Sequence, residues 1–304
     1  MKKFIKEILS VVSILFIINI GIYYSITKDL LFSNYEAPLR EKMERFGTFI
    51  FADSHGWSLT NGHPEISKSL EKIGIKNLSF GSDSYQDILA KFSWLIKNAS
   101  SIDTIIISID DHMLTKKSNN RNRTISFINP PAFSKVYGEP TPKYFYYLVV
   151  RYLPVLYPSN QALIKNYLVS KFYKDKNEVR ALPWQDQPEI ERIERAKEKV
   201  HSFYPGGQFH PKPALKKALR KILSIAEENG ITVIGIKFPI SLSMQKVTDN
   251  YSDKVEGFFF ENGGHYVLDY ENILESPRFF SNQDHINTLG AKEIADFLKN
   301  NLER

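Results

Sequence analysis

The hydrophobic pattern changes its period several times along the chain. From Ile8 to Ile26, nineteen consecutive residues carry no charge and are mostly Ile, Leu, Val, Phe and Tyr. A helix rising ~1.5 Å per residue over that length approaches the ~30 Å thickness of bilayer hydrocarbon. Asn19 and Gly21 are tolerable within a single span. Lys2, Lys3 and Lys6 precede the run and Tyr23-Tyr24 close it. That asymmetry predicts a cytoplasmic N-terminus with the tyrosines at the far interface. No A-x-A-like cleavage site follows, so the expectation is an uncleaved anchor rather than a signal peptide.

Beyond a polar stalk the pattern becomes that of a folded domain. Short apolar runs at Phe49–Ala52, Thr104–Ile109 and Ile231–Phe238 predict strands buried on both faces, and Lys76–Phe80 and His265–Leu268 predict two further short strands. Between them, apolar residues recur at spacings of three and four over Pro64–Ile73, Ser84–Asn98, Pro213–Asn229 and Thr288–Leu302, as helices require. Gly74 and Gly230 follow two of these helices as stops. The strand–helix order implies parallel pairing with right-handed crossovers. The expected fold is therefore α/β, a three-layer α/β/α sandwich around a mostly parallel five-stranded sheet.

The alternation breaks between about residues 116 and 210. A polar stretch, Ser118–Arg123, leads to an aromatic-rich one, Tyr144–Tyr157, and then to helical spacing at Gln161–Lys174 and Glu189–Phe203. This reads as an inserted helical subdomain whose aromatic stripe forms core, touches lipid or lines a sugar groove. The expected organisation is a tip and anchor over 1–28, a stalk over 29–46 and an α/β domain over 47–304.

The chain has no cysteine, which excludes disulfides, a thiol nucleophile, a Cys-ligated metal and a lipid-modified Cys. The net charge of +6 is partly membrane-flanking lysine. The remainder is ordinary solubility charge, or an attraction to an acidic polymer or anionic lipid. No zinc-finger or RNP-type pattern is present, so nucleic acid is not an expected partner.

Polar residues gather just after the predicted strands: Asp53-Ser54-His55-Gly56, Gly81-Ser82 and Asp110-Asp111-His112. The loop before the last helix adds Asn282-Gln283-Asp284-His285. Open parallel sheets bind ligands at these strand ends. Simpler roles compete: Asp53 or Ser54 as a helix cap, His285 capping the last helix, Asp284 as partner of that helix's dipole. A serine nucleophile needs a base, a group that orients the base, and donors for the oxyanion. Ser54, His285 and the Ser54 and Gly81 backbone N–H groups could supply these.

At these residues the sequence resembles the SGNH/GDSL family of serine esterases and acyltransferases, which share a flavodoxin-like sandwich. Ala52-Asp53-Ser54-His55 resembles the family's first block, in the Ser-His form of membrane-anchored and cell-envelope members. Gly81 matches its oxyanion glycine, and Asp284-His285-Ile286-Asn287-Thr288-Leu289-Gly290-Ala291 matches its final block closely. There are two departures. The third block's Asn is Asp110 here, and an ionised carboxylate cannot donate to an oxyanion. The triad acid three residues before His285 is replaced by Asn282. Either Asn282 or Asp284 then orients the imidazole, or Ser54 and His285 act as a dyad.

The resemblance implies a cofactor-free, single-pass membrane protein with an extracytoplasmic catalytic domain. It would act on acyl esters, acetyl among them, of an envelope polysaccharide or glycolipid, and transfer would call for a membrane acyl-donor protein. Two alternatives stand beside this. Asp53-Ser54-His55-Gly56 also matches the Asp-x-His-Gly opening of metallophosphoesterases, with Asp53 and His55 as ligands and Asp111 and His112 as further ones. Asn282 and Asp110 also suit a catalytically weakened carbohydrate-binding or assembly module.

Overall fold

The computed structural model describes residues 1–40, 42–60, 63–99, 101–115, 120–172, 182–204, 208–248 and 254–302. Ser118, Asn119 and the end of the expected Gln161–Lys174 helix lie outside them. The chain forms two compact units. Met1–Glu41 with Arg121–Arg180 make the first; Lys42–Asn120 with Ala181–Arg304 make the second.

In chain order the elements begin with helix α1 (Lys2–Ile22), a π-helical continuation (Tyr23–Ser33) and α2 (Asn34–Arg40). Next come β1 (Thr48–Phe51), α3 (Ser54–Trp57), α4 (Pro64–Glu71), β2 (Ile75–Asn77), α5 (Tyr85–Asn98) and β3 (Thr104–Ser108). The insertion carries α6 (Arg121–Thr124), α7 (Pro130–Tyr137), α8 (Thr141–Tyr152), α9 (Pro158–Phe172) and α10 (Glu189–Phe203). The chain closes with α11 (Pro213–Glu228), β4 (Thr232–Lys237), α12 (Leu242–Thr248), α13 (Lys254–Glu261), β5 (Tyr266–Asp269) and α14 (Thr288–Leu302).

In the first unit, Lys2–Lys28 is long and apolar enough to cross a membrane. Its Ile, Leu, Val and Phe side chains point outward on every side, and Asn19 alone is buried within α1. A helix apolar all round has no core-facing stripe, which suits a lipid environment better than water.

In the second unit, all five strands are parallel, in the order β2-β1-β3-β4-β5. This is the order of flavodoxin-like doubly wound sheets. Strand side chains alternate between the two faces. Ile50, Ala52, Ile106, Ile234 and Ile236 pack on one face with Ile66 and Leu70 of α4 and Ile294 and Leu298 of α14. Phe51, on the opposite face, meets Phe92 of α5 with ring centroids 6.0 Å apart, and α5 lies beside α11. Helices thus cover both faces, as the unbroken apolar runs require.

Two features differ from expectation. β2 begins at Ile75 and ends at Asn77, earlier than Lys76–Phe80. Leu78 N–H and Phe80 N–H still bond to Ile50 and Ala52 carbonyls, so the pairing with β1 runs on after the strand proper ends. Within the expected insertion, α10 belongs to the sheet-containing unit, where it packs on α12, while α6 to α9 belong to the unit of α1.

β1 is flanked by β2 on one side and β3 on the other. The chain therefore reverses its winding direction between the β1 and β3 ends, which opens a crevice there. The loops carrying Asp53-Ser54-His55 and Asp110-Asp111-His112 emerge at that crevice.

Candidate active site

Asp53 lies two residues after the end of β1 and caps α3, its Oδ1 accepting the His55 N–H at 2.9 Å. Its Oδ2 lies 2.9 Å from His112 Nε2. The capping role is real, and the same carboxylate also reaches across to the β3 loop. Gly56 is required for space rather than for φ. A Cβ there would lie 2.6 Å from both Ala52 Cβ and Ser79 Oγ. Asn77 Nδ2 donates to the Gly56 carbonyl at 2.7 Å, tying α3 to the end of β2.

Ser54 is the first residue of α3 and half-buried. Among the described residues its hydroxyl makes no hydrogen bond, and its N–H, at a helix start, bonds to no other group. His55, beside it, is buried at the centre of the cluster. Its Nδ1 lies 3.1 Å from Asp110 Oδ2 and its Nε2 3.5 Å from Asp284 Oδ2. Its ring packs against those of His112 and His285, with centroids 4.7 and 5.3 Å away. Burial alone would pull the imidazole pKa down. The Asp53, Asp110 and Asp284 carboxylates outweigh that and raise it to about 10. His55 is thus an imidazolium at neutral pH. For His112 burial wins over Asp53, its pKa is lowered, and it is a neutral ring donating Nε2–H to Asp53.

Asp110 does not act as an oxyanion donor. Its Oδ2 accepts from Ser108 Oγ at 2.8 Å and faces His55, while its Oδ1 accepts the Phe238 N–H at 3.0 Å. The carboxylate is an anchor for His55 and has no hydrogen to give. Gly81 N–H, by contrast, bonds to no described group. Ser82, next to it, is held at φ 70°, a conformation that costs a non-glycine residue energy. The loop is secured by Asn120, whose Nδ2 donates to Gly81 O at 3.0 Å and to Asp83 Oδ1 at 2.8 Å. Buried Lys91 reaches from α5 to Asp83 and to the Leu78 carbonyl.

In the final loop both Asn282 and Asp284 come within reach of His285. Asn282 Oδ1 accepts the backbone N–H groups of Asp284 and His285 at 3.0 and 2.9 Å, which bends the chain into a tight turn. That bend folds Asp284 back so that its Oδ1 lies 3.0 Å from His285 Nδ1. Asn282 Oδ1 is 3.1 Å from the same nitrogen. Two acceptors around Nδ1 make it the protonated nitrogen and leave Nε2 with a free lone pair. Asp284 is buried, yet its hydrogen bond with His285 and the charge of the His55 ring beside it hold its carboxyl far below the usual carboxylate range. His285 remains about a quarter exposed. Neither residue caps α14. Asn287 does, its Oδ1 accepting from Leu289 and Gly290 N–H.

Two further side chains arrive from α10. Lys199 Nζ lies 3.0 Å from Asp284 Oδ2, and Phe203 stacks on the His112 ring at 4.6 Å and 17°. The sequence carries no mark of either, because a Lys and a Phe four apart on an amphipathic helix are ordinary surface and core. Asp111 turns away, and its Oδ1 accepts the Val255 N–H at the start of α13. Of the two further metal ligands considered for this loop, only His112 joins the cluster.

Metal-ligating atoms do converge here. Asp53, His55 and His112 form one group and His55, Asp284 and His285 another, each with its ligand atoms within 4.8 Å of one another. Beside the cluster lies a small pocket whose apolar wall includes Phe203, Phe238, Ile240 and Met244. Glu271 forms part of its polar side. Burial, with Asp110 and Asp269 nearby, pushes the Glu271 carboxyl up to about 7.

No protein-family model and no curated protein matches the chain. A solved structure of a GDSL-like lipase from Bacteroides thetaiotaomicron is similar to it at a TM-score of 0.41 and 10% identity, covering 89% of this chain and 98% of that one.

Proposed function

We propose that this chain is a membrane-anchored serine esterase or O-acyltransferase of the SGNH kind. The observation that carries this reading is the Asp284–His285 contact, 3.0 Å at Nδ1, on a ring 5.3 Å from that of His55, the neighbour of Ser54. His285 Nε2 is then the base for the Ser54 hydroxyl. As Ser54 Oγ attacks the acyl carbonyl carbon, its proton passes to Nε2, and Asp284 stabilises the imidazolium that forms. The Ser54 and Gly81 N–H groups receive the oxyanion. Collapse expels the alcohol, which takes the proton from His285. Water or a sugar hydroxyl then attacks the acyl-enzyme by the same route in reverse order.

His55 and Lys199 offset two of the three negative charges that Asp53, Asp110 and Asp284 bring together, which favours an ionised Asp284. The apolar pocket wall suits a short acyl group such as acetyl. The acceptor in this reading is an envelope polysaccharide or glycolipid outside the membrane, the acyl group comes from a membrane acyl-donor protein, and the N-terminus is cytoplasmic.

The test is hydrolysis of p-nitrophenyl acetate by the full chain in detergent, together with fluorophosphonate labelling. Ser54→Ala and His285→Ala are each expected to lower kcat by about 10³-fold or more, and the former to abolish labelling. Turnover unaffected by Ser54→Ala would sink the mechanism.

The paired His/Asp groups favour a second reading, a metal-dependent hydrolase with His55 shared between two ions. Activity lost to a chelator and restored by zinc or manganese, yet surviving Ser54→Ala, would establish it instead.

A further inference from the structure

Asn19 is the one polar side chain buried along α1, and both ends of its amide are engaged. Its Nδ2 donates to Leu15 O at 2.9 Å and its Oδ1 accepts the Val155 N–H at 3.1 Å. Val155 belongs to the turn Pro154–Leu156 that follows α8. Tyr23 and Tyr152 pack with ring centroids 5.2 Å apart, so the end of α8 runs along the last turns of α1. Asn19 lies seven residues before Ile26, the end of the uncharged run. At ~1.5 Å per residue that sets the Val155 turn roughly 10 Å inside the apolar segment.

Non-helical backbone at that depth needs every N–H satisfied within the protein, and Asn19 satisfies the one at Val155. The outer face of α8 fits the same depth. Phe145, Val149 and Tyr152, spaced by four and three, are exposed, as are Tyr146 and Leu156. Lys143 stays exposed near the start of α8, whereas Arg151, near its end, turns inward, buried in an ion pair with Glu36 and donating to the Arg123 carbonyl at 3.1 Å.

We infer that α8 and the turn after it are seated in one leaflet of the bilayer beside α1, with Phe145, Val149, Tyr152 and Leu156 against acyl chains. The occupant of this apolar face is lipid, because the face continues the exposed apolar surface of α1 at the same depth. The inference rests on the proposed role of α1 as a membrane anchor.

The absence of native cysteine allows a clean test. Single nitroxide labels are placed at Val149→Cys, Leu156→Cys, Ile14→Cys and Lys135→Cys of the full chain in phosphatidylcholine–phosphatidylglycerol vesicles. Relaxation by dissolved oxygen is compared with relaxation by a nickel chelate present on both sides. Labels at 149 and 156 are expected to lose nickel relaxation and keep oxygen relaxation, as the label at 14 does, while the label at 135 relaxes with nickel. Nickel access at 149 and 156 with protection at 14 overturns the seating of α8 and leaves the anchor standing. Nickel access at 14 overturns both. Shielding of 149 and 156 from both agents means that protein covers the face, and also overturns the inference.

Discussion

Two buried ionic clusters lie at the same end of the sheet, and they differ in how completely their atoms are used. Around Asp83 the account closes: Lys91 reaches Asp83 and a backbone carbonyl, and Asn120 satisfies the other carboxylate oxygen. Around His55 it does not. His55 Nε2 is buried without a hydrogen-bond partner, Ser54 Oγ bonds to nothing described, and His285 keeps one nitrogen open. Buried charge alone therefore does not mark a reacting site. A satisfied network holds shape, whereas one with idle donors and acceptors has capacity left for a substrate.

The sharpest way to break this comparison is at Asp284. Asp284→Asn is expected to lower kcat on p-nitrophenyl acetate by about 10⁴-fold, as removal of an orienting carboxylate does elsewhere. Asn282→Ala, which loosens the turn but leaves the charge, is expected to cost far less.

On the structural side, Lys91→Met strands a carboxyl that burial already pushes up to about 6. Urea denaturation is expected to show a loss of about 3–5 kcal/mol. Adding Asp83→Asn should recover part of it, with activity per folded molecule changed little.

The pH dependence separates the clusters again. The folded pKa of His55, about 10, lies above its unfolded value near 6.5. The stability it contributes is therefore fully present below about pH 6.5 and is lost as the pH rises toward 10. The full effect is on the order of a few kcal/mol. Denaturation midpoints of the parent chain should fall across that window, and those of His55→Gln should fall less.

The smallest effect is steric. Gly56→Ala forces contacts of 2.6 Å on Ala52 and Ser79 and is expected to cost about 1–3 kcal/mol, read as a lowered melting temperature.

Much of the fold was legible because buried parallel strands and amphipathic helices write different periods into a sequence. Thr288–Leu302 emerges with its expected bounds, and Glu189–Phe203 likewise. What was illegible depends on pairings between distant residues. Asp110 anchors His55 because the Phe238 N–H, 128 residues further on, holds its other oxygen. Lys199 reaches Asp284 from a helix whose docking no local pattern announces. Asp284 reaches His285 through a bend made by Asn282, a geometry that spacing alone does not encode.

That bend has a consequence for any attempt to restore the commoner acid at position 282. Asp in place of Asn282 would set a second anion about 3 Å from Nδ1, where the amide oxygen now lies at 3.1 Å. The ring would hold its captured proton more tightly and release it more slowly to the departing alcohol. On the proposed mechanism, a neutral neighbour would keep the histidine a shuttle instead of a trap.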